Sequence, residues 1–414
     1  MRMKFRWEDR FRIVCLIMKD HNILNNMGAV FRNVSTSLQN KLEKWSVLFI
    51  YFLINGLFVL KYSGEHSFYV LAIYLFTVLI FCVLYIKVNL KIVIYKYFFW
   101  IIAGLFFSFI IFMNYNVEAT TLNVDRWDAM EVGIKAILNN EYPYNIKDFM
   151  GRESSNLPFL IILGMPFYLL FGSVGYLQSL CFLLFSYLLF KVFHHYKLRL
   201  AGLLLLVLSP SYLWEVYVKS DLMSNFVLVA SFAYLIWTQF IQRRNIKIEW
   251  VSVLTVLILL TRLSVIIPLI IILFKTIYKF NIREKLRFTV FFILIVSGIL
   301  YFFLRNAASL EVLFSHNPFT IQGGKQPIIL SVSYIVMAIF FSFKARTFLD
   351  VAFSSGLLLF IAVFSTFLLY LLEYGYDNVI FNSFFDLSFF NMSIPFIIVS
   401  LVYILKRNLN NSFK

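Results

Sequence analysis

Charge is what this sequence is short of. Only 14% of its 414 residues are Asp, Glu, Lys or Arg, against roughly 25% in an ordinary soluble domain. With 61% hydrophobic residues and a mean hydropathy of +0.83, such a chain cannot hide its apolar surface from water by folding alone. It needs lipid as solvent. Cysteine is scarce too. Cys15, Cys82 and Cys181 show no metal-ligand spacing, and an odd number argues against a complete disulfide framework. Period-2 alternation is missing, which argues against a β-barrel, and no internal repeat is visible. Residues 1–44 are too polar for a signal-peptide core, so the first hydrophobic span is expected to stay as an anchor.

What is present is a series of apolar runs about 20 residues long. They lie at 45–62, 67–86, 97–113, 174–193, 200–218, 222–241, 288–304, 328–343, 348–370 and 387–405. Two further runs are ambiguous. Segment 158–172 is short and carries Pro158 and Pro166, and segment 251–273 holds Arg262 in its middle with Pro268 just after. The net charge of +16 is spread over short Lys/Arg clusters between spans, the pattern of orientation signals and lipid headgroup contacts. Nucleic acid is therefore not the expected partner. The positive-inside rule favours a model in which neither ambiguous run crosses. The expected fold is all-α, a polytopic transmembrane helical bundle of about ten crossings plus two re-entrant or interfacial helices.

The same rule organises the chain. Residues 1–44, with nine Lys/Arg, form a cytoplasmic basic segment, 45–405 a single transmembrane domain, and 406–414 a cytoplasmic tail. The loops 114–157, 305–327 and 371–386 then share the outer face. The first of these holds seven acids against four bases. Within it, apolar residues recur at Val124, Trp127, Met130, Ile134 and Ile137, which is helical spacing. Asp125 and Asp128, three apart, share another face. The expected helix lies flat on the membrane surface and presents paired carboxylates toward the headgroups. Asn139-Asn140 ends it, and Tyr142-Pro143-Tyr144 follows as a rigid extended turn.

Other ionisable residues fall at membrane depth on the same side. Glu215, Lys219 and Asp221 follow the helix break at Pro210, and such groups are costly unless they line a cavity. The competing reading is snorkelling by Lys219 and helix capping by Asp221. Arg262 lies deep in an apolar run and needs an anionic partner, either a carboxylate or a phosphate. His316, Gln322 and Lys325, with the Gly323-Gly324 pair, are candidates for a mobile lid or a phosphate contact, and the competing reading, an ordinary flexible turn, is the stronger from sequence.

The acid-bearing outer loop, the phrase Ala136-Ile137-Leu138-Asn139-Asn140-Glu141-Tyr142-Pro143-Tyr144 and the proline-led run at Leu157-Pro158-Phe159 together resemble the GT-C glycosyltransferases. These multi-span enzymes include protein mannosyltransferases, aminoarabinose transferases and polyprenyl-mannose-dependent mannosyltransferases. The resemblance covers residues 120–275. Asn140 stands where the family has glycine, and the loop follows the third span rather than the first. The family's adjacent acids appear here as Asp125 and Asp128, which leaves the choice of base open.

The resemblance implies an inverting transfer of a sugar from a polyprenyl-phosphate donor to a lipid- or glycan-linked acceptor. Asp125 or Asp128 would be the general base. Asp221 or Glu215 would be a second acid, and Arg262, supported by Lys219, would neutralise the leaving phosphate. Tyr144, His316 and Lys325 complete the expected substrate contacts. No cofactor is required, and a divalent metal is compatible with the carboxylates. The implied location is a bacterial plasma membrane. The alternatives are a polymerase of lipid-linked polysaccharide repeat units, and a lipid or solute transporter, for which broken midplane helices would be expected.

Overall fold

The computed structural model describes residues 43–122, 124–324 and 326–412, with side chains as far as Leu405. It divides into two units, Met1–Phe49 and Ile50–Lys414. Of the first, only the opening of one helix falls among the described residues. The basic segment up to residue 42, Cys15 and Lys325 lie outside them, as do the side chains of the 406–414 tail.

Helices α1 (Glu43–Tyr62), α2 (Ser67–Lys87) and α3 (Ile92–Asn116) come first. Helix α4 (Arg126–Leu138), within the loop 114–157, and the proline-led α5 (Pro158–Phe171) follow. Next are α6 (Leu177–Val192), α7 (Tyr196–Val207), α8 (Pro210–Tyr217) and α9 (Leu222–Leu235). Then come α10 (Ile248–Leu259), α11 (Ile266–Tyr278), α12 (Ile282–Leu304), α13 (Leu310–Ser315) and α14 (Pro318–Gly323). The chain finishes with α15 (Ile328–Lys344), α16 (Phe348–Tyr374), α17 (Tyr376–Ile380) and α18 (Ile394–Ser412). Among the described residues no strand forms, and one isolated bridge joins Lys147 to Glu153. The fold is an all-α bundle.

Among the described residues, seven helices are long and apolar enough to cross a membrane, or nine if each of two bent pairs counts as one span. The bent pairs are α7 with α8, broken by 58° at Pro210, and α13–α14 with α15, broken by 60°. Nine of the ten expected spans coincide with these. The tenth, 387–405, is a 3₁₀ turn at Leu387–Met392 followed by a short apolar helix, Ile394–Leu405. The two ambiguous runs are both sub-length. Helix α5 has 14 residues, about 21 Å at 1.5 Å per residue, against a hydrocarbon core of roughly 30 Å. The 251–273 run is split between α10 and α11, because Leu260 to Arg262 leave helical geometry and Arg262 is extended.

Packing explains the exposure pattern. Helix α2 turns Phe68, Ile73, Phe76 and Leu79 outward, and α12 does the same with Ile293, Leu294 and Tyr301. These faces suit lipid and would be untenable in water. The interior belongs to α6, α9, α16 and α18, whose Phe185, Phe226, Leu358 and Phe396 are fully buried.

The ends of the bundle are tied by side chains. At one end Lys197 Nζ donates to Val88 O (3.0 Å) and Asn89 Oδ1 (2.7 Å), and Lys275 Nζ donates to Phe343 O and Ala345 O, each at 3.2 Å. At the other, the long loop 114–157 meets both later loops. Tyr142 donates to His316 O (3.0 Å), His316 lies 2.8 Å from Glu153, Gln322 donates to Ser155 O, and Arg126 pairs with Asp386.

Candidate functional site

Helix α4 starts one residue after Asp125, its N-cap. The expected amphipathic face is there, but it is not laid on lipid. Trp127, Met130 and Ile134 pack with Tyr142, Tyr144, Leu160, Ile161 and Val174 into one buried cluster. The reason is the short proline-led α5, which folds back under α4 and supplies a protein surface for it. Gly133 and Gly164 face this junction, where an added Cβ would lie 3.0 Å from Ile161 and 2.3 Å from the Met130 sulfur. Tyr144 is therefore a core residue, 1% exposed.

The carboxylate face of α4 is covered as well. Asp128 is buried and accepts a hydrogen bond from Phe149 N at 2.7 Å. Asp125 pairs with Arg152 at 3.0 Å and keeps 19% of its side-chain surface open. The turn 147–153 thus lies over both acids, held by Asp148 Oδ1, which accepts from Met150 N and Arg152 N at 2.9 Å each. The acids are neighbours but not a matched pair, since one fastens a loop and the other stays accessible. Burial raises the carboxyl of Glu131, one turn further along; the bond from Val174 N at 3.1 Å opposes the shift.

Glu215, Lys219 and Asp221 are all buried, each for a separate reason. Glu215 accepts from Met223 N and from Asn391 Nδ2, so it fastens the turn between α8 and α9 to the 387–392 segment. Lys219 adopts φ +54 and donates to Asn114 O at 3.0 Å, closing the end of α3. Burial lowers its ammonium, and Glu131 opposes this. Asp221 Oδ2 receives two bonds from Arg262, from Nη2 at 2.6 Å and Nε at 3.2 Å. Arg262 Nη2 also lies 3.3 Å from Asn156 Oδ1, and Phe159 N donates to Leu260 O at 2.9 Å. The breaks before α5 and before α11 are thereby bonded to each other. His316 is fastened to Glu153 and Tyr142 rather than directed inward.

Arg262 also faces a cavity of about 440 Å³. Its walls are largely apolar: Ile266 and Ile267 of α11, Ile335 of α15, Leu359 and Val363 of α16, and Phe385, Phe389 and Met392 beyond. Its polar contributions include Arg262, Gln322, Gln326, Tyr334, Thr366 and Asp386. Gln322 accepts from Leu263 N at 2.7 Å and donates to Ser155 O, so it stitches α14 to both breaks at the cavity edge.

Asp386 and Arg126 carry this site as much as the residues expected from sequence. Arg126 pairs with Asp386, donates to Ser388 Oγ at 2.9 Å, and lies 5.2 Å from the centre of the Phe389 ring. Partial burial would raise the Asp386 carboxyl. The adjacent guanidinium and the Ser388 hydrogen bonds outweigh burial and hold it well below the usual carboxylate range. Burial works against the charge on Arg126, and Asp386, with smaller contributions from Asp221 and Asp125, outweighs it. The signal for Arg126 was its adjacency to Asp125. For Asp386 it was the Asp-x-Ser cap at 386–388, which marks a turn and says nothing about a partner 260 residues away.

No protein-family model matches the chain, and neither a curated protein nor a solved structure matches it.

Proposed function

We propose that the protein is an integral membrane glycosyltransferase that moves a sugar from a polyprenyl-phosphate donor to an acceptor hydroxyl. The observation that carries this reading is the cavity: a largely apolar chamber between α11, α15 and α16 with the Arg262 guanidinium in its wall, joined to the acid-bearing loop through Gln322 and Ser155, although Asp125 and Asp128 do not line it. Such a chamber fits an isoprenoid chain whose phosphate meets Arg262. The bonds from Arg262 to protein run through Nε and Nη2, which leaves Nη1 for a phosphate oxygen.

In the proposed reaction an acceptor hydroxyl attacks the anomeric carbon and gives its proton to a carboxylate. The bond from that carbon to the phosphate oxygen breaks, and the phosphate leaves with the electron pair. Charge grows on the phosphate as it departs, so a fixed cation in a dry site stabilises the transition state more than the ground state. Asp125 is the better candidate for the base. It keeps open surface, whereas Asp128 is committed to Phe149 N. Loss of a general base costs about 10²–10⁴-fold in rate.

The test is a transfer assay of purified protein with a panel of polyprenyl-phosphate sugars, alongside Asp125→Asn and Arg262→Lys. We expect turnover with at least one donor, loss of about 10²-fold or more in Asp125→Asn, and a smaller loss in Arg262→Lys. Full activity in Asp125→Asn removes the base assignment, and no binding of any polyprenyl phosphate removes the whole reading. The broken run at Arg262 also favours a second reading, a lipid-phosphate transporter. Movement of labelled lipid across vesicles without release of sugar would select it.

A further inference from the structure

We propose that Asp386 reads the sugar of the donor, accepting a hydrogen bond from a hydroxyl that lies next to the phosphate held at Arg262. The inference rests on the reading of the cavity as a polyprenyl-phosphate-sugar site and deepens it.

Among the described residues, Arg262 and Asp386 are the two charged side chains that line the cavity. A phosphate alone would gain nothing from a carboxylate in the same chamber, because like charges repel in a poorly solvated site. A group that presents hydroxyl donors beside a phosphate satisfies both. The other acids of the region do not line the cavity: Asp221, Glu215 and Asp128 are buried on their own partners, and Asp125 lies at the 147–153 turn with Arg152. Asp386 keeps 42% of its side-chain surface open.

Its own hydrogen bonds leave room for one more. Oδ1 accepts from Ser388 N at 2.9 Å and Ser388 Oγ at 2.6 Å, which fills both of its lone pairs. Oδ2 accepts from Arg126 and has a second lone pair. The two bonds from Ser388 fix the rotamer of the carboxylate, so it is presented as an acceptor without reorganisation. Because Arg126 directly follows Asp125, its link to Asp386 sets the distance between the residue that would hold the sugar and the proposed base.

The experiment measures binding of bare polyprenyl phosphate and of a panel of polyprenyl-phosphate hexoses to purified protein in nanodiscs. Wild type is expected to prefer at least one sugar-bearing lipid. Asp386→Ala should weaken that lipid by about 10-fold, the scale of one lost hydrogen bond to a charged group, and leave the bare lipid within about 2-fold. Asp386→Asn keeps the side-chain shape and one acceptor oxygen, enough for the Ser388 bonds though not for Arg126 as well; it guards against misfolding and should lose the same selectivity. Arg126→Gln breaks the link but keeps the carboxylate, so it should retain most of the preference. Equal weakening of both lipids in Asp386→Ala, or loss of the preference in Arg126→Gln to the same extent, would mean that Asp386 serves only as the partner of Arg126, and the proposal falls. If wild type binds neither lipid, the glycosyltransferase reading fails first. Binding of both lipids with unchanged preference in every Asp386 variant fails the inference alone.

Discussion

Taking an arginine and an aspartate out of water together costs several kcal/mol per ion, and their contact repays it only if the geometry is good. Arg262 and Asp221 meet that condition, with both side chains about 5% exposed and two bonds to one oxygen. Removing one partner strands the other. Arg262→Leu should therefore lower the unfolding free energy by about 3–5 kcal/mol, read as a drop in melting temperature in detergent. The double variant Arg262→Leu with Asp221→Leu should recover most of that loss, because two apolar side chains replace a desolvated pair. It should still fail to bind polyprenyl phosphate, which separates the arginine's structural role from its proposed chemical one. A double variant as unstable as the single would show that the pair does not behave as a unit.

Helix ends, rather than helix middles, set the geometry of the site. Helices α5, α8 and α14 each begin with a proline, at Pro158, Pro210 and Pro318, where the missing N–H is not needed and φ is already helical. The close approach of α3 to the turn before α6 depends on a glycine. A Cβ on Gly175 would sit 1.9 Å from Asn114 Oδ1 and 3.3 Å from the Lys219 Cβ. Asn114 cannot swing away freely, since its Nδ2 donates to Ile110 O at 3.0 Å within the bundle. Gly175→Ala should cost about 1–3 kcal/mol, the range for a broken buried hydrogen bond with local repacking. Adding Asn114→Ala should return part of it. A Gly175→Ala protein that melts with wild type would show that the α3–α6 junction is looser than these distances imply.

For the unit from Ile50 to Lys414, the linkers fall into two sets by direct contact. Loops 114–157, 305–327 and 371–386 are joined through Arg126–Asp386, Tyr142–His316 and Gln322–Ser155. The linkers around Val88 and Ala345 are held at the opposite helix ends by Lys197 and Lys275. In cells, single cysteines replacing the exposed Lys147 and Lys279, with Cys15, Cys82 and Cys181 changed to serine, should label from opposite sides of the membrane with an impermeant reagent. Labelling of both from one side would break this arrangement. By the positive-inside rule the 147 side is the expected exterior, so the outer reagent should reach residue 147 and not 279.

The sequence alone determined the solvent and the helices. A shortage of charge and recurrent 20-residue apolar runs leave few options but a helical bundle, since in lipid each backbone group must be satisfied within its own segment. The same local logic marked the weak points at Pro158, Pro210 and Arg262, because a proline or a buried cation disturbs a helix wherever it stands. Tertiary structure decided what each polar group touches. The apolar stripe of α4 reads the same whether it meets lipid or α5, and only the fold-back of α5 chose between them. Asp125 and Asp128 are alike in sequence and differ because the 147–153 turn buries one more than the other. The Arg126–Asp386 link closes a separation of 260 residues, and no periodicity or motif carries information across such a distance. The cavity itself is a space between helices, so it has no sequence of its own.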